Sequence, residues 1–304
     1  MLLYFYIVIR IIILYLWEII KRCMIISNLN FKGGVGKTTT TINLATALWV
    51  LGKRVLIVDT DPQCNLTNLI GFDQTENDIT VYEWMTQEDC GVPIYVHYEG
   101  FYFIPANKKL RDIEIDLMKR KNRERILFKK LSLIKDNFDY ILIDCAPKDG
   151  IMNDNAMSAS DAVLIPAECS GFSLQGMQDL LDSIQDVKEN INDKLDILGF
   201  LIIKYDKNTR ISKQTLDYFN QAYAGKIFST KIRKNVKFDE TPLKKKSIFE
   251  HSIDANGAED YMSLAEEITG EGRPEDWKEK ILLAWLKEHP DDEEVKEQIN
   301  NLKK

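Results

Sequence analysis

Residues 32–40 read Lys-Gly-Gly-Val-Gly-Lys-Thr-Thr-Thr, between an apolar run, Met24 to Leu29, and an amphipathic stretch, Thr41 to Leu51. A glycine-rich turn from a strand into a helix is a cradle for an oxyanion. Small residues let successive backbone N–H groups turn inward, the helix presents its positive end, and Lys37 adds a full charge. The phosphate contacts are therefore expected from Lys32, Gly33, Gly34, Val35, Gly36, Lys37, Thr38 and Thr39, and the Thr38 hydroxyl suits a nucleotide-bound Mg²⁺. A plain glycine turn would explain Gly33 and Gly34 but leaves Gly36-Lys37-Thr38 at this spacing without a reason.

Phe31 stands where the general motif has its first glycine, and Lys32 follows it. An ordinary phosphate loop needs no second lysine there, because Lys37 and Mg²⁺ already neutralise much of the phosphate charge. Lys32 is thus marked for a separate task, with a solvated loop-rim lysine as the plain alternative.

The rest of the chain reads as alternating strands and helices. Met24 to Leu29, Val55 to Asp59, Tyr140 to Cys145, Ala162 to Pro166 and Ile197 to Ile203 are short, β-branched and nearly continuous, as strands buried on both faces are. Helical periodicity is expected over Thr41 to Leu51, Leu110 to Lys135, Leu174 to Glu189 and Ile211 to Tyr223. Such alternation predicts an α/β fold: a mostly parallel, doubly wound sheet flanked by helices, of the P-loop NTPase type, with short helical appendages at the termini. Functional residues then gather at the carboxyl ends of the strands, where Lys32 to Thr38, Asp59, Asp61 and Asp144 all fall. The five cysteines are scattered without C-x-x-C spacing, so neither a disulfide framework nor a zinc site is indicated.

With the loop, Arg54 to Thr67 (Arg-Val-Leu-Ile-Val-Asp-Thr-Asp-Pro-Gln-Cys-Asn-Leu-Thr), Tyr140 to Pro147 (Tyr-Ile-Leu-Ile-Asp-Cys-Ala-Pro), Ile232 to Pro242 and Asn256-Gly257-Ala258-Glu259 follow in order. In these the chain resembles the ParA/MinD group of deviant Walker A ATPases, and within it the partition ATPases, over about residues 24 to 270. The resemblance implies ATP and Mg²⁺ as cofactors, with Asp144 as the Walker B carboxylate. It gives Lys32 a role across an ATP-dependent homodimer, on the partner's nucleotide, and Asp61 the positioning of the attacking water. Asp61 could instead cap the next helix or turn the chain ahead of Pro62, and Asp59 could support Mg²⁺. Asn235 matches a family position near the adenine. Departures accompany the match: Cys64 for a glycine, Ala146 and Lys148 in the segment after the Walker B strand, Asn208 for an arginine, and Arg233 for a proline.

The formal net charge of −7 argues superficially against nucleic acid, but its distribution is uneven. Between Lys204 and Lys246 there are 12 basic side chains against 4 acidic ones, enough to bind a phosphate backbone with strong salt dependence and little sequence preference. A merely solvated charged face is the other reading. By resemblance, Lys234 and Lys237 hold positions used for nonspecific DNA binding, and Arg210 lies nearby. The implied function is DNA partition: a DNA-bound ATP dimer reset by hydrolysis that a ParB-like, centromere-binding partner stimulates, in the cytoplasm on the nucleoid.

Three segments are expected: an apolar extension at 1–23, an ATPase domain at 24–270 and a charged helical tail at 271–304. Residues 1–20 are apolar enough for a membrane anchor despite Arg10, yet Met24 lies where the family's chain usually begins, so an upstream-extended start is the reading favoured. The tail has an apolar stripe at Trp277, Ile281, Leu282, Trp285 and Leu286, but its acidic character fits packing on the body or a protein partner better than a membrane. A MinD-like membrane-associated regulator is the alternative function. An iron-sulfur electron donor lacks its cysteines, and a tyrosine kinase lacks a tyrosine-rich tail.

Overall fold

The computed structural model describes residues 22–169 and 174–303; the apolar segment 1–20 lies outside them. The strands are β1 (Met24–Asn28), β2 (Val55–Asp59), β3 (Tyr95–Tyr98), β4 (Phe101–Ile104), β5 (Tyr140–Asp144), β6 (Ala162–Glu168) and β7 (Asp196–Ile203). The helices are α1 (Lys37–Val50), α2 (Asn65–Leu69), α3 (Val81–Thr86), α4 (Ile113–Leu117), α5 (Ile126–Ser132), α6 (Ile151–Ala159) and α7 (Leu174–Asn190), then α8 (Arg210–Ala222), α9 (Lys237–Lys244), α10 (Ile248–His251), α11 (Asn256–Thr269), α12 (Trp277–Glu288) and α13 (Glu293–Leu302).

The sheet runs in the order β3-β4-β2-β5-β1-β6-β7, and every pairing is parallel except that of β3 with β4. Both faces are covered, which is why the strands lack a polar side. Leu56, Val58, Ile141 and Ile143 enter a core shared with α3 to α8, whereas Val55, Ile57 and Leu142 enter one shared with α1, α2 and α10 to α13. Helix α1 is buried nearly all round because it lies between the sheet and α11.

Register brings the distant motifs together. Asn28 pairs with Asp144 across β1 and β5, and Asp59 pairs with the same Asp144 across β2 and β5. Three strand ends therefore sit side by side where the phosphate loop leaves β1, with β6 on the other flank. This is the crevice at which open α/β sheets bind ligands.

Two sequence expectations need correction. Leu110 to Lys135 is not one long helix: it breaks into α4 and α5, separated by a polar run in which Asn122 adopts a left-handed φ of 51°. The apolar positions Leu110, Ile113 and Leu117 do not continue at helical spacing until Ile126, so nothing buries the intervening turn. The hairpin of β3 and β4, turning at Gly100 with φ 86°, extends the sheet by two strands that were not anticipated, with β3 at the edge. In the tail, Trp277, Ile281, Leu282 and Trp285 of α12, with Val295 and Ile299 of α13, are buried in the same core as α1 and α11. No helix among the described residues is long and apolar enough to cross a membrane.

Candidate nucleotide site

The glycine-rich loop between β1 and α1 is tightly turned. Gly34 and Gly36 take left-handed φ angles of 73° and 74°, and a Cβ on Gly36 would meet Ile203 Cδ1 at 3.0 Å. Glycine is needed there for both reasons. Helix α1 begins at Lys37, so its unsatisfied N–H groups and positive end face the loop. Lys37 is buried, and its Nζ donates to the carbonyls of Asn30 at 2.8 Å and Lys32 at 3.3 Å. Burial lowers the ammonium's proton affinity, and Asp144, Cys145 and Asp61 oppose that effect.

Behind the loop, Thr38 Oγ1 donates to Asp144 Oδ2 at 2.7 Å, and Thr41 Oγ1 to Oδ1 at 3.2 Å. Burial first, and the Asp59 charge second, push the Asp144 carboxyl up to about 8, while burial pushes Asp59 up to about 6. Asp61 is raised in the same way, offset by the Gln63 N–H and by Lys37. Two buried carboxyls, Asp144 and Asp61, thus act on one ammonium, with Asp59 behind Asp144. That excess of negative charge beside a threonine hydroxyl is a donor set of hard oxygens, which fits Mg²⁺ shared with phosphate oxygens. No cluster of three acidic, histidine or cysteine side chains among the described residues forms a self-sufficient metal cage.

Asp59 and Asp61 divide their work. Asp59 accepts the Asp61 N–H at 3.1 Å on one oxygen, and the Thr67 N–H at 2.9 Å and hydroxyl at 2.7 Å on the other. It braces the turn between β2 and α2 with both of its oxygens. Asp61 does line the cavity, and it also shapes the turn by accepting the Gln63 N–H at 2.8 Å. The turn-forming reading is thus observed, in a side chain that also reaches the cavity. Cys64 adopts φ 56°, a left-handed conformation in which glycine would be unstrained and cysteine is costly.

The cavity encloses about 850 Å³ and runs from the loop past Pro147 and Glu168 to Lys234, Asn235 and Tyr261. Asn235 lines it while its Oδ1 accepts the Lys237 N–H at 2.9 Å, opening α9. Arg233, unexpected in the sequence at this place, forks onto Asp260 of α11 with contacts of 2.6 to 3.1 Å. Gly257 is explained by close approach: a Cβ there would meet the Phe238 ring at 2.4 Å. Asn153 was also missed; its Nδ2 donates to the carbonyls of Ala146 at 3.0 Å and Lys148 at 2.8 Å and so holds the segment after β5.

The basic stretch is less naked than its sequence suggested. Acids remote in the chain pair with Lys226, Lys244, Lys245 and Lys246, Asp260 takes Arg233, and Lys237 is paired with Glu240 at 3.0 Å. Among the described residues, Lys207, Arg210, Lys213, Lys231 and Lys234 have no ion pair, and the Lys234 N–H bonds to the Tyr205 carbonyl, which places it beside the loop that leads to Arg210.

A family described as an AAA domain matches residues 23–197. The sporulation initiation inhibitor protein Soj of Bacillus subtilis is 37% identical over 250 residues, 82% of this chain and 99% of Soj. The chain belongs to the ParA/MinD family of partition ATPases. The chromosome partitioning protein ParA of Caulobacter vibrioides is 36% identical over 80% of this chain and 93% of its own length. Among solved structures, cobyrinic acid a,c-diamide synthase of Mycobacterium smegmatis with bound ADP and magnesium is 29% identical with a TM-score of 0.71, covering 83% of this chain and 98% of that one. A ParA/MinD core therefore spans the strands, the loop and the cavity described above.

Proposed function

We propose that the chain hydrolyses ATP with Mg²⁺, that two ATP-loaded copies pair and bind DNA without sequence preference, and that hydrolysis stimulated by a ParB-like partner releases them. The observation that carries this reading is the division between the two lysines of the loop. Lys37 is turned inward and buried, while the Lys32 side chain is 43% exposed at the cavity's rim, where it suits a second molecule's phosphates rather than its own. The loop N–H groups and Lys37 hold the phosphates, and Asn235 borders the base. Thr38 and Asp144 would hold Mg²⁺, which would supply charge neutralisation to the phosphates. Asp61 orients the attacking water, a task that needs position more than basicity. Contacts from Lys32 to a terminal phosphate are lost on hydrolysis, so ATP favours the pair and ADP weakens it. Cytoplasmic residence on the nucleoid follows from that cycle.

Arg210, Lys234 and Lys237 are the proposed DNA contacts. The test is DNA binding measured against salt with ATP and with ADP. Tighter binding with ATP is expected, and Arg210→Glu and Lys234→Glu should each lower the salt slope by about one. Lys237→Glu should do less, because Glu240 already neutralises that lysine. Equal affinity in both nucleotide states would remove the switch, and liposome binding without DNA binding would favour a MinD-like role.

A further inference from the structure

Glu168 closes β6 at the cavity's edge and lies between two ammonium groups from different elements. Its Oε2 is 3.5 Å from Lys32 Nζ, and its Oε1 is 3.4 Å from Lys204 Nζ. Lys204, just beyond β7 and held at a left-handed φ of 50°, also donates to the Gly34 carbonyl at 3.2 Å. The carboxylate side chain is 14% exposed, against 43% and 49% for the two lysines. The phosphate loop and the ends of β6 and β7 are thus tied at one acidic point. A carboxylate on the rim of a phosphate cradle repels the ligand, so its presence there calls for a task other than binding.

The geometry points to Glu168 as a positioning residue that holds Lys32 within its own chain until the terminal phosphate of a partner's nucleotide competes for it. This rests on the proposed cross-dimer role of Lys32 and deepens it. A triphosphate carries more charge than a diphosphate at the position Lys32 must reach, so it displaces the carboxylate more readily. Glu168 therefore sets the contrast between nucleotide states, and Lys204 tempers it by sharing the same carboxylate.

The experiment is self-association of the full chain by sedimentation across protein concentration, with Mg²⁺ and either ATP or ADP. Glu168→Gln should pair at concentrations roughly two- to fivefold lower, the range expected for loss of a partly exposed ion pair, and should show pairing in ADP. Glu168→Asp, which keeps the charge, should stay nearer the native behaviour. Lys204→Gln removes one of the two ammonium groups that share the carboxylate and should shift pairing the opposite way. A passive structural bridge would not give opposite signs for the two charge-removing variants. Should both weaken pairing, or neither change it, with native thermal unfolding, the clamp is refuted. Lys32→Ala in the Glu168→Gln background separates the two ideas: retained ATP-dependent pairing there would refute the cross-dimer role itself, whereas its loss leaves that role standing whatever Glu168 does.

Discussion

Lys37 and Asp61 face the same cavity, yet their substitutions should fail in different ways. Lys37 is the buried cation of the loop, so Lys37→Ala should weaken nucleotide binding about ten- to a hundredfold, the worth of hydrogen bonds to charged groups. Asp61→Asn keeps the hydrogen bond to Gln63 and should leave ATP affinity near native while slowing turnover by about a hundredfold, the penalty of a misplaced reacting group. Equilibrium binding and single-turnover hydrolysis distinguish the two, and a shared binding defect would take the water-positioning role from Asp61. At this scale the glycines, Lys37, Thr38 and Asp144 were legible because their chemistry is tied to fixed spacing. The contacts by which Asp59 braces the turn were not, since they come from Thr67, beyond the strand end that the sequence pattern marks. The Arg233 and Asp260 fork and the Glu168 bridge join residues 27 and 136 positions apart, which no local pattern announces.

Elements were legible where burial imposes a period. Strands β1, β2, β5, β6 and β7 and helices α1, α7 and α8 follow from continuous apolar runs or helical spacing, whereas the 110–135 region was misread because charge alone cannot hold a helix without a stripe to bury. The β3 and β4 hairpin escaped because its aromatic strands are four residues each. Its outer strand bears on how acid affects the fold. His97 packs on the rings of Tyr98 and Phe101, with centroids 4.2 and 5.0 Å away, and burial together with the His289 charge pushes it down to about 3. A histidine depressed in the fold contributes stability above its unfolded value near 6.5 and loses it as pH falls toward the folded value. Between pH 7 and pH 5 the loss reaches about 2 kcal/mol. The raised carboxyls of Asp59 and Asp144 act in the opposite sense, so the informative quantity is a difference. Thermal unfolding of His97→Gln should fall less than that of the native chain over this range, and parallel curves would show that the ring is not held neutral.

For the whole molecule, net charge was a poor guide and charge placement a better one, though only partly. Sequence counting showed the basic excess between Lys204 and Lys246, but acids from α13 and from the loop after α2 cover Lys244, Lys245 and Lys246. Of the basic residues left without an ion pair among the described residues, Lys234 lines the cavity. The tail was readable as an amphipathic stripe, but its seat was not: the core that receives α12 is assembled from α1, α10 and α11, far apart in the chain. In the proposed cycle one lysine per copy, Lys32, makes pairing depend on ATP. Molar mass by sedimentation with Mg²⁺ tests it directly: the native chain should double its mass with ATP and not with ADP, and Lys32→Glu should remain a monomer in both. A Lys32→Glu chain that still doubles with ATP would contradict the account.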